Sequence, residues 1–552
     1  MKQKRGLKQV LLGLLITAVV GLVYFYFELP AINLHAVEFY GFAFMLAAVY
    51  CVSQVLLSGA FRIQEFVQGE DQLGNTAKHF FSAIWHSCKF PAVICVALVG
   101  IYAVGSFLSS EILRAGAYRD LLTVESGTFA EDVEELPFNM IPLLDKASAE
   151  KLGDRKLGEL SDMVSQFEVA NDYTQINYKD RPVRVTPLEY GDLIKWFNNR
   201  SKGLPAYIIT DMVDQSVEVV RLEEGMKYSP SELFGRKLER HLRFSYPLYM
   251  FDDPVFEIDE EGTPYWVCPR IVKTIGMFGG TDVKGAVLMN AVTGESEYYE
   301  EVPGWVDRLY SADLIVQQYD YHGVYVNGFI NSILGQKDVT VTTEGYNYIA
   351  QNDDVYMYTG ITSVGGDQSN IGFILTNQRT KETTFYSIAG ADEYSAMDSA
   401  EGVVQHLGYE ATFPLLLNIH GEPTYFMSLK DAAGLVKMYA MVNVRQYQVV
   451  ATGSTVAETS SAYARLLLQN AITTEEEVTG TEASGVVNDI RSAVMGGESY
   501  YYIRLEGENH YYVIAAKEAQ EVVVLNVGDH VKLTYDGSME GLLVTGLTLS
   551  IQ

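Results

Sequence analysis

The sequence predicts an α+β protein with three N-terminal transmembrane helices, a large region repeating a helix and an antiparallel meander, and a small C-terminal β-barrel. Three observations lead there. Uncharged apolar runs of 19, 23 and 21 residues occupy positions 9–27, 39–61 and 90–110. The stretch GAVLMNAVTGESEYY at 285–299 reads as strand, turn and strand, and a similar one, GFILTNQRTKETTFY, follows 87 residues later. Beyond residue 485 the chain changes to five short alternating runs.

A helix needs about 20 apolar residues to cross a bilayer core, so each of the three runs suffices. The first follows a basic segment, MKQKRGLK, as a signal peptide would. It ends in aromatics, however, and the nearest small-residue site, Leu34-His35-Ala36, has Leu where cleavage wants a small side chain. It is read as a retained helix. Lys2, Lys4, Arg5 and Lys8 precede the first run, Arg62, Lys78 and Lys89 lie between the second and third, and the loop ELPAINLHAVE has neither Lys nor Arg. Positive charge stays on the cytoplasmic side, so the N-terminus is expected to be cytoplasmic and residues 111–552 extracytoplasmic. Tyr24, Tyr26 and Tyr40 are placed near the outer interface. No polar residue deep in the helices suggests a transport path.

Residues 111–552 carry 33 Lys and Arg against 65 Asp and Glu, a net charge of −32. Such a surface repels nucleic acid and anionic headgroups as general partners. Cys51 and Cys95 lie in the apolar runs and Cys88 beside one, leaving Cys268 alone outside. A large exterior without a disulfide suits a bacterium.

Domain boundaries are expected at 1–110 (membrane), 111–188 (juxtamembrane segment and first strands), 189–472 (repeated units) and 478–552 (barrel). In the second of these, DKASAEKLGDRKLGELSDMV reads as a helix and SQFEVA, YTQINY and PVRVTP as strands. A helix is expected from Tyr190 to Arg200, with Leu193, Ile194, Trp196 and Phe197 as its packed face. The strands AYIITDMVDQSVEVVRL follow, then a helix over SPSELFGRKLERHLRF. Next come the hairpin FEIDEEGTPYWVC and the strands of residues 285–299, a helix over WVDRLYSADLIVQQY, and DDVYMYTGITSV with the second copy. SAMDSAEGVVQHLG reads as a shorter helix, followed by PLLLNIHGEPTYFMSLK and GLVKMYAMVNVRQYQVVA. The helix-and-strands pattern thus occurs about four times before a closing helix, TSSAYARLLLQNA. One helix on a short meander buries too little apolar surface to offset chain entropy, so units are expected to share cores. Gly294 and Gly421 mark turn tips, where positive φ is cheap for Gly; the second copy has Lys381 at that turn.

The unit resembles the PepSY type of domain through VLMNAVTGESEYY, while ILTNQRTKETTFY lacks the Gly. Such domains are extracytoplasmic, often non-catalytic and associated with inhibiting or modulating peptidases, which the resemblance implies here. The whole chain also resembles membrane-anchored envelope proteins of Gram-positive bacteria, a likeness that brings no activity with it. After a polar linker, TTEEEVTGTEASG, the runs VVNDIRSAV, SYYYIRLEG, HYYVIAA, HVKLTY and LVTGLTL resemble an OB-like barrel with an insertion after its third strand. Tyr500, Tyr501, Tyr502, Tyr511 and Tyr512 supply aromatics, but the basic groove of a nucleic-acid binder is missing.

Candidate chemistry is sparse. His241, His322, His406, His420, His510 and His530 are scattered without metal-ligand spacing. Ser148 and Lys151 stand at SxxK spacing in a charged segment, where Ser148 reads as a helix N-terminal residue. Asp252, Asp253, Glu257, Asp259, Glu260 and Glu261 form an acidic stretch, and Asp353 and Asp354 a second; both are expected to be solvated. Arg236, Lys237, Arg240, His241 and Arg243 make a local basic face that could dock on acidic parts of the chain, on membrane phosphates or on an anionic wall polymer; pairing within the chain is expected. No catalytic, cofactor-binding or metal-binding residue is assigned. The expected function is a non-catalytic binding, scaffold or modulatory protein of the cell envelope, with an envelope protein or wall polymer as partner. The alternatives are an envelope hydrolase with an acidic site between Asp252 and Glu261, and an accessory subunit of a membrane complex.

Overall fold

A computed structural model describes residues 2–57, 73–136, 140–351, 353–364, 369–472, 481–495, 498–508, 510–516, 519–535 and 544–549. Three long helices come first: α1 (Lys2–Glu28), α2 (Val37–Leu57) and α3 (Leu73–Leu108). Within them, Lys8–Glu28, Val37–Leu57 and Cys88–Leu108 are long and apolar enough to cross a membrane. The second apolar run was expected to reach residue 61; residues 58–61 lie outside the described residues.

A leader of α4 (Glu111–Arg119), β1 (Val124–Gly127) and the single turn α5 (Phe129–Asp132) follows. Four units of one design come next. Unit 1 comprises α6 (Lys146–Gly158), β2 (Phe167–Val169), β3 (Thr174–Asn177), β4 (Pro182–Tyr190), β5 (Leu204–Asp211) and β6 (Val217–Met226). A helix, α7 (Leu193–Asn199), is inserted between β4 and β5. Unit 2 holds α8 (Leu238–Ser245), β7 (Met250–Phe251), β8 (Val255–Ile258), β9 (Pro264–Ile275), β10 (Gly279–Asn290) and β11 (Ser296–Tyr299). Unit 3 holds α9 (Ala312–Val324), β12 (Thr340–Thr342), β13 (Asn347–Gln351), β14 (Asp354–Ser363), β15 (Ser369–Asn377) and β16 (Thr383–Tyr386). After β17 (Gly390–Ala391), unit 4 holds α10 (Glu393–Val403), β18 (Glu410–Ala411), β19 (Leu415–Ile419), β20 (Glu422–Lys430), β21 (Val436–Asn443) and β22 (Val450–Gly453), closed by α11 (Val456–Gln469). In every unit two short strands pair with one long strand, which pairs with a second long strand and then a last one, short in units 2, 3 and 4 and ten residues long in unit 1.

The repeat holds to the level of single hydrogen bonds. In unit 2 Ala286 faces Tyr299 and Met289 faces Ser296; in unit 3 Phe373 faces Tyr386 and Thr376 faces Thr383. Unit 1 has the same spacing, with Tyr207 opposite Val220 and Thr210 opposite Val217. The turns match as well. The backbone N–H groups of Asp211, Asn290 and Asn377 each donate to the carbonyl five residues on, all at 2.9 Å. Their side-chain Oδ1 atoms accept from the N–H groups two and three residues on, at 2.8–3.0 Å. This is the Asx turn that makes Asn and Asp favoured there. The next position is left-handed in each: Gln215 at φ 62°, Gly294 at 77° and Lys381 at 67°. Lys381 replaces Gly because its ammonium reaches Asp282 of unit 2 at 2.7 Å and the Leu121 carbonyl at 3.2 Å.

Units 1 and 2 share a core that includes Val185, Ile208, Phe256, Trp266, Val287 and Met289. Units 3 and 4 share another around Tyr358, Phe373, Tyr425 and Val442. The leader binds the halves together. β1 pairs in parallel with β16. The Val133 carbonyl accepts from Asn418 at 2.7 Å, the Leu143 carbonyl from Ser428 at 2.9 Å, and Lys430 meets Asp145 at 2.6 Å. The Leu143 N–H donates to the Met212 carbonyl of unit 1 at 2.7 Å.

Several expectations are corrected. The boundary at 188–189 falls inside the first sheet, because β4 pairs with β5. The helix expected from Tyr190 begins at Leu193, where Asp192 caps the Ile194 and Lys195 N–H groups at 2.8 and 2.9 Å. Of its expected packed face only Trp196 is buried. The helix expected from Trp305 starts at Ala312, since Val306 and Leu309 are buried in the preceding loop against the second sheet. The helix expected from Ser229 is a turn, a 3-10 turn at Phe234–Arg236 and then α8. The linker was expected to run to Gly485, but β23 (Thr481–Met495) already pairs there with β26 (His530–Tyr535).

With β24 (Glu498–Leu505), β25 (Tyr512–Ala515) and β27 (Val544–Leu549), these strands form a sheet in the order β25-β24-β23-β26-β27. Among the described residues no pairing joins β25 to β27, so this is a half-barrel sheet rather than the closed barrel expected.

Gly285 (φ 71°) and Gly421 (φ 75°) both need the left-handed region, but only at Gly285 would a methyl group collide with a backbone carbonyl, that of Tyr299. Gly285→Ala is therefore expected to cost more than Gly421→Ala, which should lose about 1 kcal/mol from φ alone. Thermal unfolding of the full chain in detergent checks the order.

Candidate functional site

The acidic stretch from Asp252 to Glu261 does not converge on one point. Asp252 accepts from the Ser311 hydroxyl at 2.9 Å. Asp259 accepts from the Glu261 and Thr263 N–H groups at 3.1 and 2.7 Å, fixing the β8–β9 turn. Asp253, Glu260 and Glu261 are exposed. Glu257 is the exception: it lies on β8 and is 0% exposed, where a solvated carboxylate was expected.

Its burial has a local reason. The loop before α9 brings two backbone N–H groups under β8, and Glu257 satisfies both, from Asp307 and Arg308, each at 2.9 Å. A buried carboxylate costs free energy unless hydrogen bonds replace its water. Asp307, 1% exposed, accepts in turn from the Asn177 N–H on β3 of unit 1, at 2.6 Å. The Asn177 side-chain amide donates to Asp353 at 3.3 Å. Beside it Asp354 receives Arg379 through two 2.7 Å bonds and the Asn377 amide at 2.8 Å. Units 1, 2 and 3 therefore meet at one carboxyl-rich seam. The expected second acidic pair divides there: Asp354 is buried and Asp353 exposed, at a left-handed φ of 63°.

Burial pushes the Glu257 carboxyl up to about 7, against the pull of its two N–H donors. Burial, then the neighbouring Glu257, raises Asp307 well above the usual carboxylate range. Carboxyls tuned this way occur at proton-transfer sites. Here both act as acceptors for backbone N–H groups of other segments, a structural role. Among the described residues no group of three His, Cys, Asp or Glu side chains could hold a metal ion. A recess of about 270 Å³ nearby, lined by Asp172, Glu189, Ser229, Ser231 and Trp266, brings carboxyls and hydroxyls together without a histidine or lysine.

The remaining candidates stay apart. The Ser148 N–H is taken by Asp145 at 3.0 Å, while Lys151 donates to the Ala433 carbonyl at 3.1 Å, so they form no Ser–Lys pair. His241 meets the Gly294 carbonyl at 3.0 Å, His322 the Arg119 carbonyl at 3.2 Å, His420 lies 3.9 Å from Glu135 and His510 3.1 Å from Glu508. His406 and His530 are exposed. Cys268 is buried, which raises its thiol. In the C-terminal sheet Tyr512 is in the core, and Tyr511 donates to Asp489 with Arg491 and Arg504 against its ring at 5.2 and 5.3 Å.

The basic face of α8 corrects another expectation. Its arginines bind backbone carbonyls instead of acidic side chains. Arg240 donates to Tyr26 and Arg243 to Leu29, each at 2.9 Å, at the end of α1. Arg236 donates to the Arg200 carbonyl at 2.7 Å, and Lys237 lies 3.6 Å from Glu239. These contacts belong to a larger joint. The β9–β10 tip, residues 276–280, enters between the helices. Ser109 at the end of α3 accepts from the Met277 and Phe278 N–H groups at 2.9 and 3.2 Å. The Phe278 ring lies 5.6 Å from Tyr40 and 5.1 Å from Tyr102. His35, between α1 and α2, meets the Met277 carbonyl at 2.8 Å. A cleft of about 450 Å³ opens beside the joint, lined in part by Ser109, Glu111, Tyr118 and Phe278.

Sequence reasoning did not single out Asp307, Asn177, Arg379, Ser109 or Phe278. A carboxylate inside the apolar run Val255-Phe256-Glu257-Ile258 was the one available signal for the seam.

The seam predicts a pH dependence. Glu257 and Asp307 hold protons in the folded chain at pH values where the unfolded chain, near its ordinary carboxylate values, has released them. Their contribution is full below about pH 4; that of Glu257 is lost as pH rises through about 7, and that of Asp307 as pH rises through its own raised value. Asp307→Asn keeps an acceptor for Asn177 and removes one of the two charges. It should make the fall in stability between pH 5 and pH 8 shallower. Melting of native and variant full chains at pH 5, 6.5 and 8 checks this; a steeper fall in the variant refutes the assignment.

No protein-family model matches the chain, and no curated protein matches it.

Proposed function

We propose that the chain is a non-catalytic binding, scaffold or modulatory protein of a bacterial cell envelope, anchored by three membrane helices and extracytoplasmic from residue 111. One observation carries this reading: the ionisable groups that the fold gathers are used to hold it together. Glu257 and Asp307 accept backbone N–H groups, Asp354 is closed by Arg379, and Arg240 and Arg243 bind the helix end. A catalytic site would leave a tuned group facing a substrate. A binding surface asks only for rigid area, which tyrosine-rich strands supply.

The helix-and-meander unit with its Asx turn supports kinship with PepSY-type domains, and the order β25-β24-β23-β26-β27 with a 3-10 turn at Gln520–Val524 supports an OB-like C-terminal module. The partner is then an envelope protein or wall polymer bound on the surface of the units or of the C-terminal sheet.

Two experiments test the reading. In a chain without native cysteines, Ser484→Cys, exposed on β23, should react with an impermeant maleimide in whole cells, and Ser82→Cys should not. The reverse pattern overturns the orientation and the localisation together. Replacing Asp252, Asp253, Asp259 and Glu261 by Asn or Gln should leave the cellular phenotype largely intact, while deleting residues 478–552 should abolish partner capture in cross-linked cells. Cleavage of a wall polymer by the native chain, lost in a folded four-site variant, would establish a hydrolase instead.

A further inference from the structure

Helix α7 has no counterpart in units 2 and 4. They cross between their two long strands through residues 276–278 and 431–435, whereas unit 1 uses residues 191–203 and places a helix there. That helix is held firmly. The Trp196 indole and the Tyr190 hydroxyl both donate to buried Glu232, at 2.8 and 2.7 Å. Yet Leu193, Ile194 and Phe197 are 66, 73 and 59% exposed, and nearby Phe234, whose ring lies 5.8 Å from Trp196, is 62% exposed. A contiguous patch of large apolar side chains on a fixed element marks a contact surface.

Its position identifies the partner. The Arg200 carbonyl at the end of α7 accepts from Arg236, the Phe234 carbonyl accepts from Arg240 at 2.7 Å, and Arg240 also donates to the Tyr26 carbonyl. Tyr26 lies two residues inside the end of the apolar span Lys8–Glu28. The patch is therefore tied by three hydrogen bonds to the point where α1 ends its apolar span. Lys195, Arg200 and Lys202 border it, and Arg200 stacks on Phe197 at 4.3 Å. Apolar side chains bordered by Lys and Arg are the composition of elements that lie in a bilayer interface. The corresponding tip of unit 2 is already seated among the helices, with Phe278 against Tyr102.

A second patch stands beside α3. Ile330, Ile333 and Leu334 are 73, 60 and 82% exposed in the segment after α9. The end of α9 is fixed through the Tyr325 hydroxyl, which donates to Glu111, three residues beyond the apolar span.

We infer that the body rests on the lipid surface of the bilayer its helices cross, through an α7–Phe234 foot beside α1 and an Ile330–Leu334 foot beside α3. Both feet sit at headgroup depth, their apolar side chains among the upper acyl segments and, at the α7 foot, the bordering cations at the phosphates. The inference depends on the three helices spanning that bilayer, and the test separates the two statements.

The full chain, with native cysteines replaced, is labelled with an environment-sensitive fluorophore at one site: Ile194→Cys, Leu334→Cys, Val99→Cys inside α3, or Leu435→Cys on the unit 4 turn that adjoins α6. It is reconstituted in phosphatidylcholine vesicles containing lipid spin-labelled at acyl carbon 5. The feet should be quenched at least half as strongly as position 99 and several-fold more than position 435. Quenching at 99 with the feet no better than 435 overturns the inference and leaves the spans standing. No quenching at 99 removes the spans and the inference together. Blue-shifted but unquenched emission at the feet shows protein covering them, and also overturns it. Should the cysteine-free chain misfold, the native chain is photolabelled with diazirine-bearing phosphatidylcholine. Adducts in α3 but none on residues 193–197 or 330–334 give the same negative answer.

Discussion

Glu257 is a fully buried carboxyl, and through Asp307 it belongs to the chain of hydrogen bonds that links three units. Its two oxygens take the Asp307 and Arg308 N–H groups, and Asp307 takes the N–H of Asn177. The bonds are individually ordinary. They matter because a buried donor or acceptor left unpaired costs about 1–3 kcal/mol, and Glu257 and Asp307 are both buried. Moving unit 1 away from unit 2 would strand the Asn177 N–H and remove an acceptor bond from buried Asp307. The apolar cores joining units 1 with 2 and 3 with 4 supply most of the adhesion, but hydrophobic contact is non-directional. The polar seam fixes the register in which those cores meet.

The same logic governs the joint with the three apolar N-terminal helices. The β9–β10 tip has two backbone N–H groups that the sheet cannot use, and Ser109 accepts both. The Tyr118 hydroxyl then donates to the Ser109 carbonyl at 2.7 Å, and Gly105 leaves room for Phe278. Arg240 and Arg243 bind carbonyls where α1 ends and its last turn lacks internal donors. Helix ends and hairpin ends thus complete one another's hydrogen bonding. The body is fixed at several points to all three helices.

Much of this was legible in particular residues. The apolar runs gave the three helices long and apolar enough to cross a membrane, because length and lack of charge are local properties. The turns were readable at Asn290 and Gly294, and the register of units 2 and 3 agrees residue for residue. Lys381 looked like a defect in the repeat because its compensation, Asp282, is 99 residues away. Leu193, Ile194 and Phe197 have the spacing of a packed face, and spacing does not say whether protein or lipid covers it. The acidic stretch was read as solvated because five of its six carboxyls are hydrophilic turn or edge residues; the sixth, Glu257, stands in an apolar run, but what packs over it is distant in sequence.

The sequence by itself determined the elements: which segments are apolar enough to cross a membrane, which alternate as strands, and where Asn, Asp and Gly turn the chain. Those properties depend on neighbours within a few residues. Only the tertiary structure decided how the elements are used. It divided the carboxylates between solvent and seam, aimed the α8 arginines at backbone carbonyls of α1, and left the apolar face of α7 uncovered. Burial and hydrogen-bond partners at those positions are set by chain 36 to 214 residues distant, and no local pattern encodes such a distance.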